Sequence, residues 1–368
     1  MKAALGRIAV LAQKELRQVR RDRLTIGMMV MLPLIQLMLF GYAIDTDVRH
    51  MPTVVVDADN TPASRDLVRR LEATGFYDVT ARVGGYDQIS VAFRSGQARV
   101  GVVIPNGYAK ALVTHHPAEF QLVVDGSDAQ TVASAESGAQ AVAEGLAAMR
   151  RSGAAAVSMN TSIWYNPDLR TAVYVVPGLV GVILTMTLVM FTAMGIARER
   201  ERGTLEQLIV SPVRSIELVI GKIVPYIAIG YVQMTLILTV GILGFSVPFA
   251  GSPLTLYGLA SLFIGANLAL GLFFSTLAKT QQQAMQMSFF FFLPQLLLSG
   301  FIFPFEGMPG AARVLGEALP LTHFLRIIRG IVLKSATVAD LAPEIGALAV
   351  IAGVLVLLSS LRFRKKLG

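Results

Sequence analysis

Apolar positions along the chain gather into long runs without charge, and the charged positions gather between them. Residues 24–44, 171–197, 223–245, 254–278, 284–303 and 345–361 each form one such run, with no charged residue inside any of them. About 20 apolar residues in a helix cross the ~30 Å hydrocarbon core of a bilayer. The pattern therefore predicts six transmembrane helices, the last of them short. Segment 45–170 breaks the pattern. Short β-branched or aromatic stretches at 54–57, 77–81, 100–104 and 120–124 alternate there with helical stripes at 62–73, 86–94, 106–113 and 129–149. That alternation predicts an α/β layer domain. The fold class expected is an α-helical polytopic membrane protein with an α/β extracytoplasmic domain inserted between helices one and two.

Composition agrees with a membrane chain. Hydrophobic residues make up 54% and charged ones only 15%, against about 25% charged in ordinary soluble domains. The net charge of +8 raises the question of nucleic acid, but its distribution answers it. Seventeen Lys and Arg flank the runs on one side, from Lys2 to Arg23, Arg198 to Lys222, at Lys279 and from Arg362 to Lys366. The short loops of the other side hold four: Arg313, Arg326, Arg329 and Lys334. The positive-inside rule then places both termini in the cytoplasm and 45–170 outside. Segment 45–170 carries 14 acids and 11 Lys and Arg, so it is nearly neutral. The 21-residue run at 24–44 is longer than a signal-peptide core and reads as a retained span. Before it, Leu5, Ile8, Ala12, Leu16 and Val19 share one helical face, with Arg7, Lys14, Arg17 and Arg21 off it. This predicts a helix lying on the cytoplasmic membrane surface. With no cysteine, disulfides and thiol chemistry are excluded.

Candidate chemistry is sparse. Asp57, Asp59, Asp125 and Asp128 follow two predicted strands, where sheets of this kind carry ligands; Asp is also an ordinary turn residue. His115 and His116 are adjacent and lack metal-type partner spacing. Trp164 and Tyr165 fit an interfacial aromatic belt or packing against the domain base. Gln36, Gln233, Asn267, Gln286 and Gln295 are polar positions inside apolar runs, suited to a transport path or to helix–helix hydrogen bonds. Gln286, Phe290 and Gln295 are the transport-path candidates, in a run where Phe289 to Phe292 form a wide apolar surface and Pro294 introduces a kink. Runs two to five contain no charged residue, which argues against an ion-coupled carrier or channel.

The stretch ARERERGTLEQLIVSP at 197–212 carries six charges in nine residues between two uncharged runs. Opposite charges alternate at helical spacing, so Glu199 and Arg202 form an i,i+3 pair. Leu205, Leu208 and Ile209 form an apolar patch, and Pro212 ends the helix. A loop serving topology alone needs no interleaved glutamates, so the stretch reads as a docking element.

From here the sequence resembles the membrane subunits of type-2 ABC exporters, the multidrug-efflux permease branch. The resemblance rests on Arg198, Glu199, Arg200, Glu201, Gly203, Thr204, Glu206, Leu208 and Pro212, followed by Gly221 and Lys222. It extends to IDTDVRHMPTVVVDADNTPASRDLV, LSGFIFPFEGMP and LPLTHFLRIIRGI, in the same order along nearly the whole chain. It implies a permease in the bacterial inner membrane, paired with a second permease copy or a paralogue and driven by a cytoplasmic ABC ATPase subunit. Residues 1–44 would hold the connecting helix and first span, 45–170 the exported domain, and 171–368 the five remaining spans. Within the last part, 198–215 would couple to the ATPase and 304–338 would form the re-entrant outer segment. A periplasmic adaptor is a further partner of this family type. No G-x-x-x-x-G-K-[ST] occurs in the chain, so it is not expected to be an ATPase or to hold a cofactor; ATP would be bound by the partner subunit. Drug-like amphiphiles lead as substrates by resemblance, with lipid or polymer export and an envelope scaffold or sensor as alternatives.

Overall fold

A computed structural model describes residues 48–114, 116–149, 157–201 and 215–364. The expected surface helix, the first span at 24–44, Gln36, His115 and the charged stretch from Arg202 to Arg214 lie outside these residues.

The first described unit is a five-stranded sheet with helices on both faces. In chain order it runs β1 (Met51–Asp57), α1 (Pro62–Ala73), β2 (Tyr77–Arg82), α2 (Tyr86–Arg94), β3 (Val100–Ile104), α3 (Tyr108–Val113), β4 (Ala118–Asp125), α4 (Ala129–Met149) and β5 (Val157–Trp164). The strand order is β2-β1-β3-β4-β5, with only the β3–β4 pair antiparallel. Side chains alternate across the sheet. Val55, Val102, Leu122 and Val124 join Leu67, Leu71 and Val132 from α1 and α4 on one face. Val54, Val56, Val103 and Val123 join Ile89 and Phe93 of α2 on the other. Thr61 starts α1 with a capping box: its Oγ1 accepts from the Ser64 amide at 3.2 Å, and its own amide donates to Ser64 Oγ at 3.0 Å. Pro62 fits the first turn, where no amide donor is needed.

β5 is an element the sequence pattern did not reveal. VSMNTSIW has no continuous apolar run, and its residues are half-buried at most positions. It pairs in parallel with β4 along its whole length. Trp164 belongs to the sheet and packs against the domain: its ring meets Phe93 edge-on at 5.7 Å and Tyr165 at 6.3 Å.

The second unit is helical: α5 (Thr171–Glu201), α6 (Ser215–Phe245), α7 (Pro253–Leu277), α8 (Gln281–Leu298), α9 (Gly310–Glu317), α10 (Pro320–Lys334) and α11 (Ala342–Arg364), with a 3-10 turn at Phe305–Gly307. Among the described residues, four helical stretches are long and apolar enough to cross a membrane: Thr171–Glu201, Pro225–Phe245, Pro253–Leu277 and Ala342–Arg362. Helix α8 is not one of them. Its glutamines at 281–283, 286 and 295 dilute it, and it stops at Leu298, five residues before the end of the apolar run. Ser299 caps it and Gly300 turns the chain with φ +83°, a conformation glycine adopts without a Cβ clash.

Helix α5 lies at the centre, against α6, α7, α8 and α10. Small residues allow the approach. A Cβ on Gly271 of α7 would stand 2.8 Å from the Val189 carbonyl oxygen of α5. Phe263 of α7 and Phe324 of α10 stack with centroids 4.0 Å apart in the buried core. Along α6, Val232, Leu236, Val240 and Leu243 stay exposed, as do Val350, Val354, Leu357 and Leu361 along α11. Four large apolar residues on one face suit hydrocarbon rather than water.

Candidate functional site

The sequence-marked residues fall at opposite ends of the helical unit. At the charged end of α5, Arg198 Nε donates to Gln281 Oε1 at 2.9 Å. Arg200 Nη1 donates to the carbonyls of Ser275 (2.9 Å) and Ala278 (2.7 Å), the orphan acceptors at the C-terminus of α7. Glu201 Oε2 accepts from the amide of Gln281 at 3.2 Å and from its Nε2 at 3.1 Å, at the start of α8. Three side chains thus fasten the end of α5 to the α7–α8 turn through five hydrogen bonds. Glu199 is described, whereas Gly203, Thr204, Glu206, Leu208 and Pro212 lie outside the described residues.

The transport-path candidates lie together on α8. Gln295 is fully buried, and neither its Oε1 nor its Nε2 has a hydrogen-bond partner among the described residues. Gln286 Oε1 is also buried without a partner, and Phe290 is half-buried. Asn267 Nδ2 donates to the Phe263 carbonyl at 2.9 Å, while its Oδ1 is unpartnered. Gln233 differs: its Oε1 accepts from Thr187 Oγ1 at 2.9 Å, a helix–helix hydrogen bond. Buried amides left open cost about 1–3 kcal/mol each, so α8 carries polar groups that packing alone does not explain.

At the other end, four charged residues meet where the sheet touches the helical unit. Asp125 ends β4 with its side chain wholly excluded from solvent. It pairs with Arg99 Nη1 at 2.9 Å and with Lys334 Nζ, and its Oδ1 accepts from Ser127 N at 3.1 Å and Ser127 Oγ at 2.5 Å. Arg99 also pairs with Glu306 through Nε at 2.9 Å, and Lys334 Nζ donates to the Phe93 carbonyl at 3.2 Å. Burial alone would raise the Asp125 carboxyl. Lys334 and Arg99 outweigh it and hold the group well below the usual carboxylate range. The Glu306 carboxylate, against the cost of burial and with help from Asp125, pushes the Arg99 guanidinium upward. A second cluster joins α10 to α9 and α11: Arg326 meets Glu317 at 2.7 Å and Glu344 at 3.0 Å, and His323 Nδ1 lies 2.5 Å from Glu344.

Sequence reasoning singled out Asp125 but not its partners. Its fellow candidates Asp57 and Asp59 serve the β1–α1 turn, accepting from Ser64 Oγ (2.7 Å) and from the amides of Gly107 (2.9 Å) and Ala109 (3.1 Å). Asp128 accepts from the Gln130 amide and from Thr131, and burial pushes its carboxyl up. His116 is exposed and contacts Thr114. The signals for the missed partners were Glu306 and Lys334 themselves, single charges in otherwise apolar stretches. Arg326 and Lys334, counted as loop residues from the charge pattern, sit in a helix and pair with acids.

The family match decides what this molecule is. Residues 23–361 match the ABC-2 family transporter protein family, nearly the whole chain. The chain belongs to that family. It is similar to the Escherichia coli (strain K12) protein named probable multidrug ABC transporter permease YbhR, with 32% identity over 335 residues covering 90% of this chain and 91% of that one. Probable multidrug ABC transporter permease YbhS of the same organism is 29% identical, covering 89% of this chain and 88% of its own length. Inner membrane transport permease YhhJ, also from that organism, is 27% identical over 99% of this chain and 98% of its own. The chain is therefore an ABC-type permease subunit and a membrane protein whose family has the permease rather than the ATPase role.

Proposed function

We propose that this permease moves amphipathic or drug-like compounds out of the cytoplasm or the inner leaflet by alternating access, driven by a separate cytoplasmic ABC ATPase. Two permeases, identical or paralogous, form the path, each with six spans, both termini in the cytoplasm of a cell with its inner membrane as the site, and residues 45–170 outside. The substrate class follows the names of the similar Escherichia coli permeases. A periplasmic adaptor would meet the exported domain.

The observation that carries this reading is the length and fastening of α5. Its 31 residues measure about 46 Å at 1.5 Å per residue, longer than the ~30 Å hydrocarbon core. The helix runs unbroken from the junction with the α/β unit to Glu201. There Arg198, Arg200 and Glu201 grip the α7–α8 turn. A push on the segment that follows is delivered to α5 and to the α7–α8 turn together, and α8 bears Gln286, Phe290 and Gln295. Residues 198–215 act as the coupling segment: Arg198, Glu199 and Glu201 set its base, and Gly203, Thr204, Glu206, Leu208 and Pro212 meet the ATPase.

The test is affinity capture of the co-expressed ABC ATPase on the tagged permease, read together with substrate-stimulated ATP hydrolysis. Glu206→Lys is expected to lower ATPase recovery. Arg200→Ala, which loosens α5 from the α7–α8 turn, is expected to keep recovery and lower stimulation. Asp87→Lys in the α/β unit changes neither. Wild-type recovery and stimulation in both Glu206→Lys and Arg200→Ala would reduce the stretch to a topological loop.

A further inference from the structure

A cavity of about 290 Å³ lies where the α/β unit meets the outer helices. Six cationic side chains line it: Arg94, Arg99, Arg313, Arg326, Arg329 and Lys334. Four of them are matched by carboxylates. Arg94 faces Asp340 at 3.7 Å, Arg99 and Lys334 share Asp125, and Arg326 holds Glu317 and Glu344.

Arg313 and Arg329 are different. Among the described residues, neither has a carboxylate at ion-pair distance. Arg313 donates to the backbone carbonyls of Glu306 and Met308, the latter at 2.8 Å. Arg329 donates through Nη1 to the Gly300 carbonyl at 3.0 Å and lies over the Tyr174 ring at 3.9 Å. Its Nε and Nη2 are shielded from solvent and have no hydrogen-bond partner among the described residues. A charged donor left open in this way is costly. That pair is the side of the guanidinium that takes a carboxylate or phosphate in two parallel hydrogen bonds; Nη2 packs beside Gly178 of α5, so an anion in the cavity engages it when the Arg329 side chain swings away from α5.

The acids lining the cavity do not fill that role. Glu306 and Glu344 are engaged by Arg99 and by Arg326 with His323. Asp128 accepts from Gln130 N at 3.0 Å and Thr131 Oγ1 at 3.2 Å. The three carboxylates on the cavity wall are thus occupied, and neither Arg313 nor Arg329 has one of its own among the described residues. Phe93, Phe305, Leu325 and Leu341 line the same space and supply an apolar wall. The volume fits a small head group with a short apolar body, at the lower end of known ligand sites.

We propose that this cavity binds an anionic amphipath, its phosphate or carboxylate head held by Arg329 and Arg313 and its apolar part against Phe305 and Leu325. The inference goes beyond the transport reading. It assigns a binding site at the junction of the two units, and it holds whether or not the bound compound is cargo.

Trp164 is the single tryptophan of the chain and packs edge-on against Phe93, a cavity residue. Its fluorescence therefore reports on the cavity wall. The full-length permease in neutral detergent, without any ATPase, is titrated with inorganic phosphate, butyl phosphate, butyrate and dihexanoyl phosphatidic acid. Butanol and butyltrimethylammonium are the controls. Saturable binding of butyl phosphate or dihexanoyl phosphatidic acid is expected, at least tenfold tighter than inorganic phosphate. The first tighter than the second indicates a soluble monoester, the reverse a lipid head group. Arg329→Gln should weaken butyl phosphate binding tenfold or more, Arg329→Lys should weaken it less, and Asp87→Lys should leave it unchanged. Should Arg329→Gln fail to fold, Arg313→Gln, expected to weaken binding severalfold, makes the same test. No saturable response to any anion, equal affinity for inorganic and butyl phosphate, or wild-type affinity in a folded arginine variant would each overturn the proposal. Because no ATPase is present, failure here leaves the ATPase-capture result standing, and failure there leaves this titration standing.

Discussion

Replacing Asp125 with leucine removes the one carboxylate that Arg99 and Lys334 share. Arg99 keeps Glu306 at 2.9 Å. Lys334, 5% exposed, keeps only the Phe93 carbonyl at 3.2 Å and the Tyr165 ring at 5.6 Å. Stranding one member of a buried pair costs about 3–5 kcal/mol; the two remaining contacts place this case at about 3 kcal/mol. Lys334→Met strands Asp125 less, since Arg99 and both Ser127 donors remain. Its cost is about 2 kcal/mol, within the range for one lost hydrogen bond to a charged group. The double variant removes both charges and leaves the Arg99–Glu306 pair balanced. It should lose about 2–3 kcal/mol rather than the sum of about 5, an interaction energy of about 2–3 kcal/mol. Urea unfolding followed by Trp164 fluorescence measures all three, because that ring sits in β5 against Phe93. A double variant that loses the full sum, or two single variants that each lose under about 1 kcal/mol, would refute the reasoning that this pair fastens the sheet to α10.

Acid should act through the same residue. The Asp125 carboxyl is held below its ordinary value, so its stabilisation is complete above the unfolded value of about 3.9 and is lost as pH falls below it through the folded value; in unfolding measured between pH 6 and pH 3, Asp125→Asn should show a smaller pH dependence at the acid end than wild type. Gly271→Ala should lower the melting temperature in detergent, costing about 1–3 kcal/mol, because its methyl meets the Val189 carbonyl and Thr192 Cβ at 2.8 Å; an unchanged transition would mean that α5 and α7 do not pack this closely. Val113 is 77% exposed, so a cysteine there should react with a membrane-impermeant reagent in intact cells while one at Lys366 should not. The reverse labelling would overturn the orientation drawn from the basic residues.

Much of the α/β unit was legible because its period changes cleanly. The runs at 62–73, 86–94, 100–104 and 129–149 coincide with α1, α2, β3 and α4, where an apolar stripe or a continuous β-branched run meets the core. β5 was not legible: Met159, Asn160, Thr161 and Ser162 give no period-2 alternation, and the strand is stabilised by pairing with β4. The end of α8 was overrun for the opposite reason. Phe301 to Phe303 continue the apolar run, but the backbone has already turned at Gly300. The candidate site divides the same way. The charge alternation at Arg198 to Glu201 is local and visible, whereas the pairing of Asp125 with Lys334, 209 residues apart, is produced only by the fold. Arg329 offered no local signal that two of its donors would be buried and open.

Reconstituted transport tests the central claim, that this chain is the permease half of an ATP-driven exporter. The permease and its co-expressed ABC ATPase are placed in proteoliposomes, and movement of a fluorescent amphiphile is followed on adding ATP. Movement is expected to require both subunits and ATP hydrolysis, and to fall in Glu206→Lys. Equal movement with the permease alone, or with ATP replaced by a non-hydrolysable analogue over many turnovers, would contradict it.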